Sequence, residues 1–319
     1  MGELPFVSIC TPTFNRRPFI PLLIKCVENQ MYPKHRIEWI IIDDGPDKIE
    51  DLVIHIPYVK YVKIEEHLTI AKKRNLLNDM SLGDIIVNMD DDDYYPPERI
   101  SHAVEMLTQH DTAICAGSSQ LYMYFNKLNK MYRFGPYGVN HATAATFAYK
   151  RELLNITRYK DETAFAEEKL FLKNYTIPMI QLDPLKTILV FAHSQNSVDK
   201  YELLKTPSIY INESIVSIDD FIKDEEIKQF FLYDINEALD KYVEGDKKNK
   251  PDILKQIIVT KIINTNKMLE HELKQLREKH TTFTTQQNMV IQSLLQENAK
   301  LKEEIKSLKM TNELHDFGK

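Results

Sequence analysis

The sequence predicts an α/β domain with a largely parallel sheet. Strand-like and helix-like patterns alternate from residue 6 to about residue 110. Residues 37–42, Ile-Glu-Trp-Ile-Ile-Ile, are almost continuously apolar, as expected of a parallel strand covered on both faces. Predicted strands end in polar turns at residues 15–17, 43–44 and 90–93, and a doubly wound sheet gathers such turns along one edge.

The first strand, residues 6–10, is expected to break at Pro12 within Thr11-Pro12-Thr13-Phe14-Asn15-Arg16-Arg17. A helix over residues 18–30 follows, with Ile20, Leu22, Leu23, Ile24 and Val27 as its apolar set. The strand at 37–42 stops at the acidic turn Asp43-Asp44-Gly45-Pro46, and residues 59–64 read as the third strand. Thr69 then caps a helix carrying Ala71-Lys72-Lys73-Arg74-Asn75. Residues 84–89 make a fourth strand that runs into Asp90-Asp91-Asp92-Asp93, followed by a helix over 97–110. Beyond residue 112 come strands at 112–118 and 121–125, a glycine-bearing loop at 133–138 and an alanine- and threonine-rich run to Tyr149. A helix over 164–172 carries Glu167 and Glu168, and a strand at 187–192 delivers His193.

Four consecutive carboxylates repel one another, and a folded chain holds them together where something neutralises them. A hard divalent cation, Mg²⁺ or Mn²⁺, takes carboxylate oxygens. A solvated acidic turn is the usual fate of a charge run, but this one falls beyond the carboxyl end of a buried strand, where open α/β sheets bind ligands. An EF-hand register starting at Asp90 fails, because Tyr95 occupies the glycine position and Ser101 the twelfth. One edge with arginines, an acidic pair and a four-aspartate cluster suits a nucleotide diphosphate chelated to metal. Taken singly, a histidine ending a strand is more often structural, and a glutamate pair at a helix start complements the helix dipole.

Among 319 residues, 43% apolar and 28% charged is the balance of an ordinary globular protein, and a net charge of −6 argues against nucleic acid or a polybasic membrane surface as partner. Cys10, Cys26 and Cys115 have no metal-type spacing and read as free thiols of a reducing compartment. No apolar run approaches the roughly 18–20 residues of a membrane span. Residues 1–5 lack the features of a signal peptide, and Gly2 has no Ser or Thr at the myristoylation position. The expectation is a cytoplasmic enzyme with no membrane span.

Five motifs in order, Val7-Ser8-Ile9-Cys10-Thr11-Pro12-Thr13-Phe14-Asn15-Arg16, Asp43-Asp44-Gly45, Ala71-Lys72-Lys73-Arg74-Asn75, Asp90-Asp91-Asp92-Asp93-Tyr94-Tyr95-Pro96-Pro97 and Glu167-Glu168, resemble those of the family 2 glycosyltransferases of GT-A fold. The likeness covers roughly residues 5–200. It implies a nucleotide-binding role for Thr11, Pro12, Thr13, Asn15 and Arg16. Asp43 and Asp44 would read the uracil or ribose, and Lys72, Arg74 and Asp91 would lie near the base and pyrophosphate. Asp90 and Asp92 are the outer members of an Asp-x-Asp motif and Asp93 an extra aspartate. With His193, at the place of the family's late histidine, they are the implied ligands of Mn²⁺ or Mg²⁺. Residues 135–145 fall where the family keeps an acceptor and donor loop. Glu168 takes the position of the catalytic base, where an aspartate is usual, so Asp161 and Glu162 stay candidates.

The implied activity is a metal-dependent, inverting hexosyl transfer from a nucleotide sugar, UDP-linked, to a hydroxyl of a glycan or other acceptor. Such a transfer needs the leaving diphosphate neutralised and one carboxylate to take the acceptor proton, a step typically contributing roughly 10²–10⁴-fold. A nucleotidyltransferase would want a glycine- and lysine-rich loop where this chain has Arg16 and Arg17. An inactive GT-A scaffold is the other alternative, and donor hydrolysis with Mn²⁺ separates it from an enzyme.

The chain is expected to divide into a catalytic domain at 1–205, a helical extension at 206–265 and a coiled coil at 266–319. Residues 218–243 read as one amphipathic helix, 245–251 as a polar break, and 253 to about 314 as a helix interrupted near 281–285. Leu269, Leu273, Leu276, His280, Phe283, Gln287, Val290, Leu294, Asn298, Leu301, Ile305 and Leu308 follow steps of three and four, with a stutter at Val290-Leu294-Asn298. With Ile291 at heptad position a, Asn298, Ile305 and Asn312 share that position and Leu294, Leu301 and Leu308 take d. Glu297 and Glu304 fall at g, facing Lys302 and Lys309 at the following e. This pattern predicts a parallel homodimer.

Overall fold

The apolar runs of the first ninety residues become a parallel sheet because each strand is covered on both faces. In the computed structural model, which describes residues 3–110 and 112–316, strands β1 (Val7–Thr13), β2 (Ile37–Asp43), β3 (Val59–Lys63) and β4 (Ile85–Asn88) alternate with helices α1 (Ile20–Glu28), α2 (Glu50–Val53), α3 (Ile70–Met80) and α4 (Arg99–Gln109). Met1, Gly2 and residues 317–319, which belong to the outer predicted segments, lie outside the described residues.

Successive strand side chains point to opposite faces. Val7, Ile9, Trp39, Ile41 and Val87 therefore join one core with Phe19, Leu23, Val27 and Leu107. Cys10, Ile40, Ile42 and Ile86 join another with Ala71, Leu77 and Phe147. The three cysteines are buried and unpaired. Thr69 caps α3 as expected, accepting from Lys72 N at 3.2 Å.

Next in the chain come β5 (Cys115–Gly117), β6 (Leu121–Phe125), β7 (Lys130–Phe134), β8 (Ala148–Lys150), α5 (Glu168–Phe171), β9 (Ile180–Gln181), β10 (Leu189–Ala192) and β11 (Ile211–Glu213). The main sheet has the order β3-β2-β1-β4-β8-β5-β9, and a second sheet the order β10-β6-β7-β11. The main sheet is mixed rather than simply parallel, because β8 runs antiparallel to both β4 and β5. Pro12 does not break β1. The pairing with β4 ends at Cys10↔Asn88 while that with β2 continues to Thr13↔Asp43, so the proline costs no ladder bond on the β4 side.

The helix expected over 164–172 shrinks to α5, framed by Ala166 at φ +56° and by Lys173, Asn174 and Tyr175, all at positive φ. The helix expected over 218–243 is divided into α6 (Ile218–Phe221), α7 (Glu225–Gln229), a π-helical stretch at Phe230–Asp234 and α8 (Ile235–Lys241). Asp224, whose carboxylate caps α7 by accepting from Glu226 N and Ile227 N, marks the first division.

The last helix, α9 (Pro251–Asp316), runs through the threonine cluster without interruption. Thr281, Thr282, Thr284 and Thr285 each donate their hydroxyl to the carbonyl four residues back, at 2.9–3.0 Å, which satisfies them inside a helix. The chain forms two compact units, one reaching Gln256 and one starting at Ile257. In the second, every side chain from 258 to 307 is exposed. Leu308, Lys309 and Asn312 of the predicted seam lie outside the residues whose side chains are described.

Candidate active site

Because β1, β2 and β4 are parallel, their carboxyl ends, Thr13, Asp43 and Asn88, lie on one edge. Thr11 ties that edge together from within: its hydroxyl donates to Met89 O at 2.8 Å and accepts from Trp39 Nε1 at 2.9 Å. Pro12 lines the cleft, and Thr13 is buried, its carbonyl accepting from Lys73 Nζ at 3.1 Å. Asn15, at φ +51°, donates to Glu244 O at 2.8 Å and accepts from Asp47 N at 3.1 Å. Gly45 makes this turn possible, since a side-chain carbon there would lie 2.5 Å from Asn15 Oδ1. Arg16 is buried, donates to Gln195 O at 2.8 Å, and faces Asp91 at 3.5 Å and Asp92 at 3.6 Å.

The turn after β2 is saturated by protein donors. Asp43 accepts from Gly45 N at 2.9 Å, Ile49 N at 3.1 Å and the Tyr61 hydroxyl at 2.8 Å. Asp44 accepts from Leu68 N at 2.6 Å and Lys73 Nζ at 2.7 Å, and His67 Nδ1 lies 2.9 Å away. Burial opposes its ionisation, yet His67 and Lys73 hold Asp44 below the usual carboxylate range.

The turn after β4 is arranged differently. Arg99, fully buried, donates to Asn88 O and Phe147 O and fixes the strand's end. Asp90 receives Arg74 Nη2 at 3.0 and 3.1 Å on its two oxygens. Burial pushes Asp91 up to about 7, against the pull of Arg16. Asp92 Oδ2 lies 3.1 Å from His193 Nε2; burial opposes its ionisation, but His193 and Arg16 hold it well below the carboxylate range. Burial also keeps His193 neutral, pushing it down to about 4. Asn196 holds this imidazole, with Nδ2 2.7 Å from its Nε2. Asp93 turns away from the cleft: its Oδ1 accepts from Phe191 N at 3.3 Å, Lys200 is 4.0 Å off, and burial pushes it up to about 8.

The two glutamates of α5 separate in role. Glu167 is buried, lines the cleft and accepts from Arg74 Nε at 2.7 Å. Glu168 is half-buried beside it, and burial together with the charge of Glu167 pushes it up to about 7. Asp161 is exposed and accepts from Asn75 Nδ2 at 2.6 Å, and Glu162 is exposed.

One cleft thus gathers Pro12, Arg16, Arg74, Asp90, Asp91 and Asp92 of the predicted set. Lys72 is half-buried and does not line it; Lys73, one helical step further, does. The spacing Ile70, Lys73, Arg74, Leu77 is a helical face that carries this signal. His67, Lys250 and Asp252 also line the cleft and carried no motif. His67 Nε2 lies 2.9 Å from Asp252 Oδ1, joining the first turn of α9 to the loop before α3.

Among the described residues no three His, Cys, Asp or Glu side chains form a closed metal cage. The Asp92–His193 pair nonetheless fits a hard divalent cation bound with a diphosphate, because such ions take one or two carboxylates and complete their shell with phosphate oxygens and water.

Residues 8–173, more than half of the chain, match the model for glycosyl transferase family 2, and the chain belongs to that family. The mixed sheet is consistent with the GT-A fold. An uncharacterized glycosyltransferase of Haemophilus influenzae is 29% identical over 107 residues, 33% of this chain and 35% of its own. WcaA of Escherichia coli, named for glycosyl transfer in colanic acid biosynthesis, is 31% identical over 106 residues, 32% of this chain and 37% of its own. The matched stretch thus spans little more than a third of these relatives. Among solved structures, a mannosyltransferase of Pyrobaculum calidifontis in complex with GDP-Man and Mn²⁺ has a TM-score of 0.49 at 15% identity, covering 72% of this chain and 70% of its own. TarS of S. aureus in complex with UDP has a TM-score of 0.46 at 19% identity, covering 62% and 63%.

Proposed function

We propose that the chain is a metal-dependent, inverting glycosyltransferase moving a hexose from a nucleotide sugar, with UDP the favoured nucleotide, to a hydroxyl of a glycan or other acceptor. The observation that carries this reading is the convergence of Arg16, Arg74 and Asp90–Asp92 on one cleft at the carboxyl ends of parallel strands. Asp92 and His193 would hold the Mn²⁺ or Mg²⁺, which as a Lewis acid neutralises a leaving diphosphate. Arg16 and Lys73 add fixed positive charge where the diphosphate would lie. Glu167, paired with Arg74, positions that arginine. Glu168 takes the acceptor proton, since it is free of an arginine partner among the described residues and, at about 7, is poised near neutral pH.

A panel of UDP- and GDP-sugars with Mn²⁺ or with chelator tests this. A donor at a hundred times its Kd adds about 2.7 kcal/mol of stability, and slow donor hydrolysis accompanies it. No stabilisation and no hydrolysis with any nucleotide sugar would overturn the reading.

The same reading takes α9 as the strand of a parallel coiled-coil dimer. Leu294, Leu301 and Ile305 are 50–55% exposed in the single chain, and a second copy in register would cover them. Among the described residues no helix is long and apolar enough to cross a membrane. Light scattering that finds a monomer at micromolar concentration would rule the dimer out.

A further inference from the structure

The segment between α8 and α9 is a polar run in sequence and a fitted wall in the structure. Gln195 Nε2 donates to Tyr242 O at 2.6 Å, the Tyr242 hydroxyl donates to Asp47 at 2.6 Å, and Asn15 donates to Glu244 O. At its far end Asp252 meets His67, and Gln256 both accepts from Ala164 N at 2.6 Å and donates to Phe165 O at 3.0 Å. The segment is therefore fixed to both sides of the cleft, and between these anchors sits Lys250.

Lys250 is 6% exposed and lines the cleft beside Arg16, Asp91 and Asp92. Its Nζ stands 6.0 Å from the centre of the Phe14 ring. Among the described residues no acceptor lies within hydrogen-bond reach of this ammonium and no carboxylate within ion-pair reach. Burial of the side chain and the nearby Arg16 both oppose charge on this ammonium, and Asp91 and Asp92 across the cleft favour it without reaching ion-pair distance. An arrangement of this kind becomes favourable when an anion enters. A compact ammonium suits a phosphate oxygen as a point charge.

We propose that Lys250 binds the diphosphate of the donor, so that the segment leading into the long helix, outside the 8–173 stretch that defines the family, completes the donor site. The inference rests on the nucleotide-sugar reading above.

The test uses the full chain with Mn²⁺ and two probes, UDP and uridine. Lys250→Met weakens UDP by about 10- to 100-fold, the range of a hydrogen bond to a charged group, and leaves uridine within about twofold. Lys250→Arg restores most of the UDP affinity. In the unsubstituted protein UDP, and not uridine, protects Lys250 from acetylation by acetic anhydride, a readout that does not depend on a variant folding. Equal weakening of both probes together with a lowered melting temperature would mean a structural lysine and overturn the inference. So would unchanged UDP affinity in Lys250→Met or absent protection. If the unsubstituted protein binds neither UDP nor GDP, the functional reading itself falls, and this inference with it.

Discussion

Two acidic turns flank the first strand, and the protein treats them in opposite ways. Asp43 and Asp44, after β2, meet backbone amides, a tyrosine and a lysine at 2.6–3.1 Å, all supplied by residues 45–73. After β4, Asp90 is tied to Arg74 at 3.0–3.1 Å and Asp92 lies 3.1 Å from His193, while Asp91, Asp92 and Asp93 face the cations of residues 16 and 200 only at 3.5–4.0 Å. The acceptors of the first turn are met by donors of the protein itself. In the second the partners stand farther off, and burial pushes Asp91 up to about 7 and Asp93 up to about 8 because no cation among the described residues fully compensates their charge. A run of aspartates is therefore read by its donors: local amides mark scaffold, and distant, incomplete partners mark a place for a ligand.

The sharpest way to break this contrast is at the second turn. Asp92→Asn is expected to cut Mn²⁺-dependent transfer by more than about 10⁴-fold, since several kcal/mol of charge stabilisation leave with the ion, while the melting temperature barely moves. Retained transfer would remove this turn from the metal site. Glu168→Gln comes next, with a loss of about 10²–10⁴-fold and donor binding intact. Because a carboxylate raised to about 7 is protonated below that pH, the unsubstituted enzyme gains activity as pH rises through about 7. Glu168→Gln loses that limb, and an unchanged pH–rate profile would place the base elsewhere.

At the first turn the expected damage is to the fold. Asp43→Ala leaves Gly45 N, Ile49 N and the Tyr61 hydroxyl without their acceptor and costs about 3 kcal/mol in a denaturant titration. Transfer by the folded fraction changes less than about tenfold. Full stability with abolished transfer would make the two turns alike after all.

The smallest effect concerns His67, raised to about 9 by its hydrogen bonds to Asp252 and Asp44. A histidine raised in the folded state contributes stability that is fully present below its unfolded value near 6.5 and is lost as pH rises through about 9. Allowing for solvent screening, the loss is about 1–2 kcal/mol, and His67→Gln flattens it. Equal slopes in the two proteins between pH 6 and 9.5 would dissolve the His67–Asp252 tie.

The part of this molecule legible in its sequence is the part made by neighbours. Apolar runs gave β1 to β4, and the polar turns at their ends gave the edge on which Arg16, Arg74 and Asp90–Asp92 meet. The antiparallel β8 escaped because three residues, Ala148–Lys150, carry no direction until β4 and β5 lie on either side. Lys73 hid beside Lys72, since one helical step decides which lysine faces the cleft. Lys250 looked like linker because its burial depends on Asn15, Asp47 and Gln195, residues far away in the chain that grip the segment just before it. Asp93 follows Asp92 directly in the run, and its carboxylate accepts from Phe191 N, a partner 98 positions away that no local pattern announces.

The bond from Asn15 to Glu244 spans 229 positions, and this sets a schedule for a chain still on the ribosome. At 5–20 residues per second, about 10 to 45 s separate the appearance of its two ends. β1 is made just before that interval opens, and the arginine turn, β2, β3 and β4 are all synthesised well inside it. Gly245 seats the returning segment against Gln195, in the loop after β10, and against Asn15 O, so both of these are made before it arrives. The sheet has time to form first, and the wall that completes its working edge arrives last.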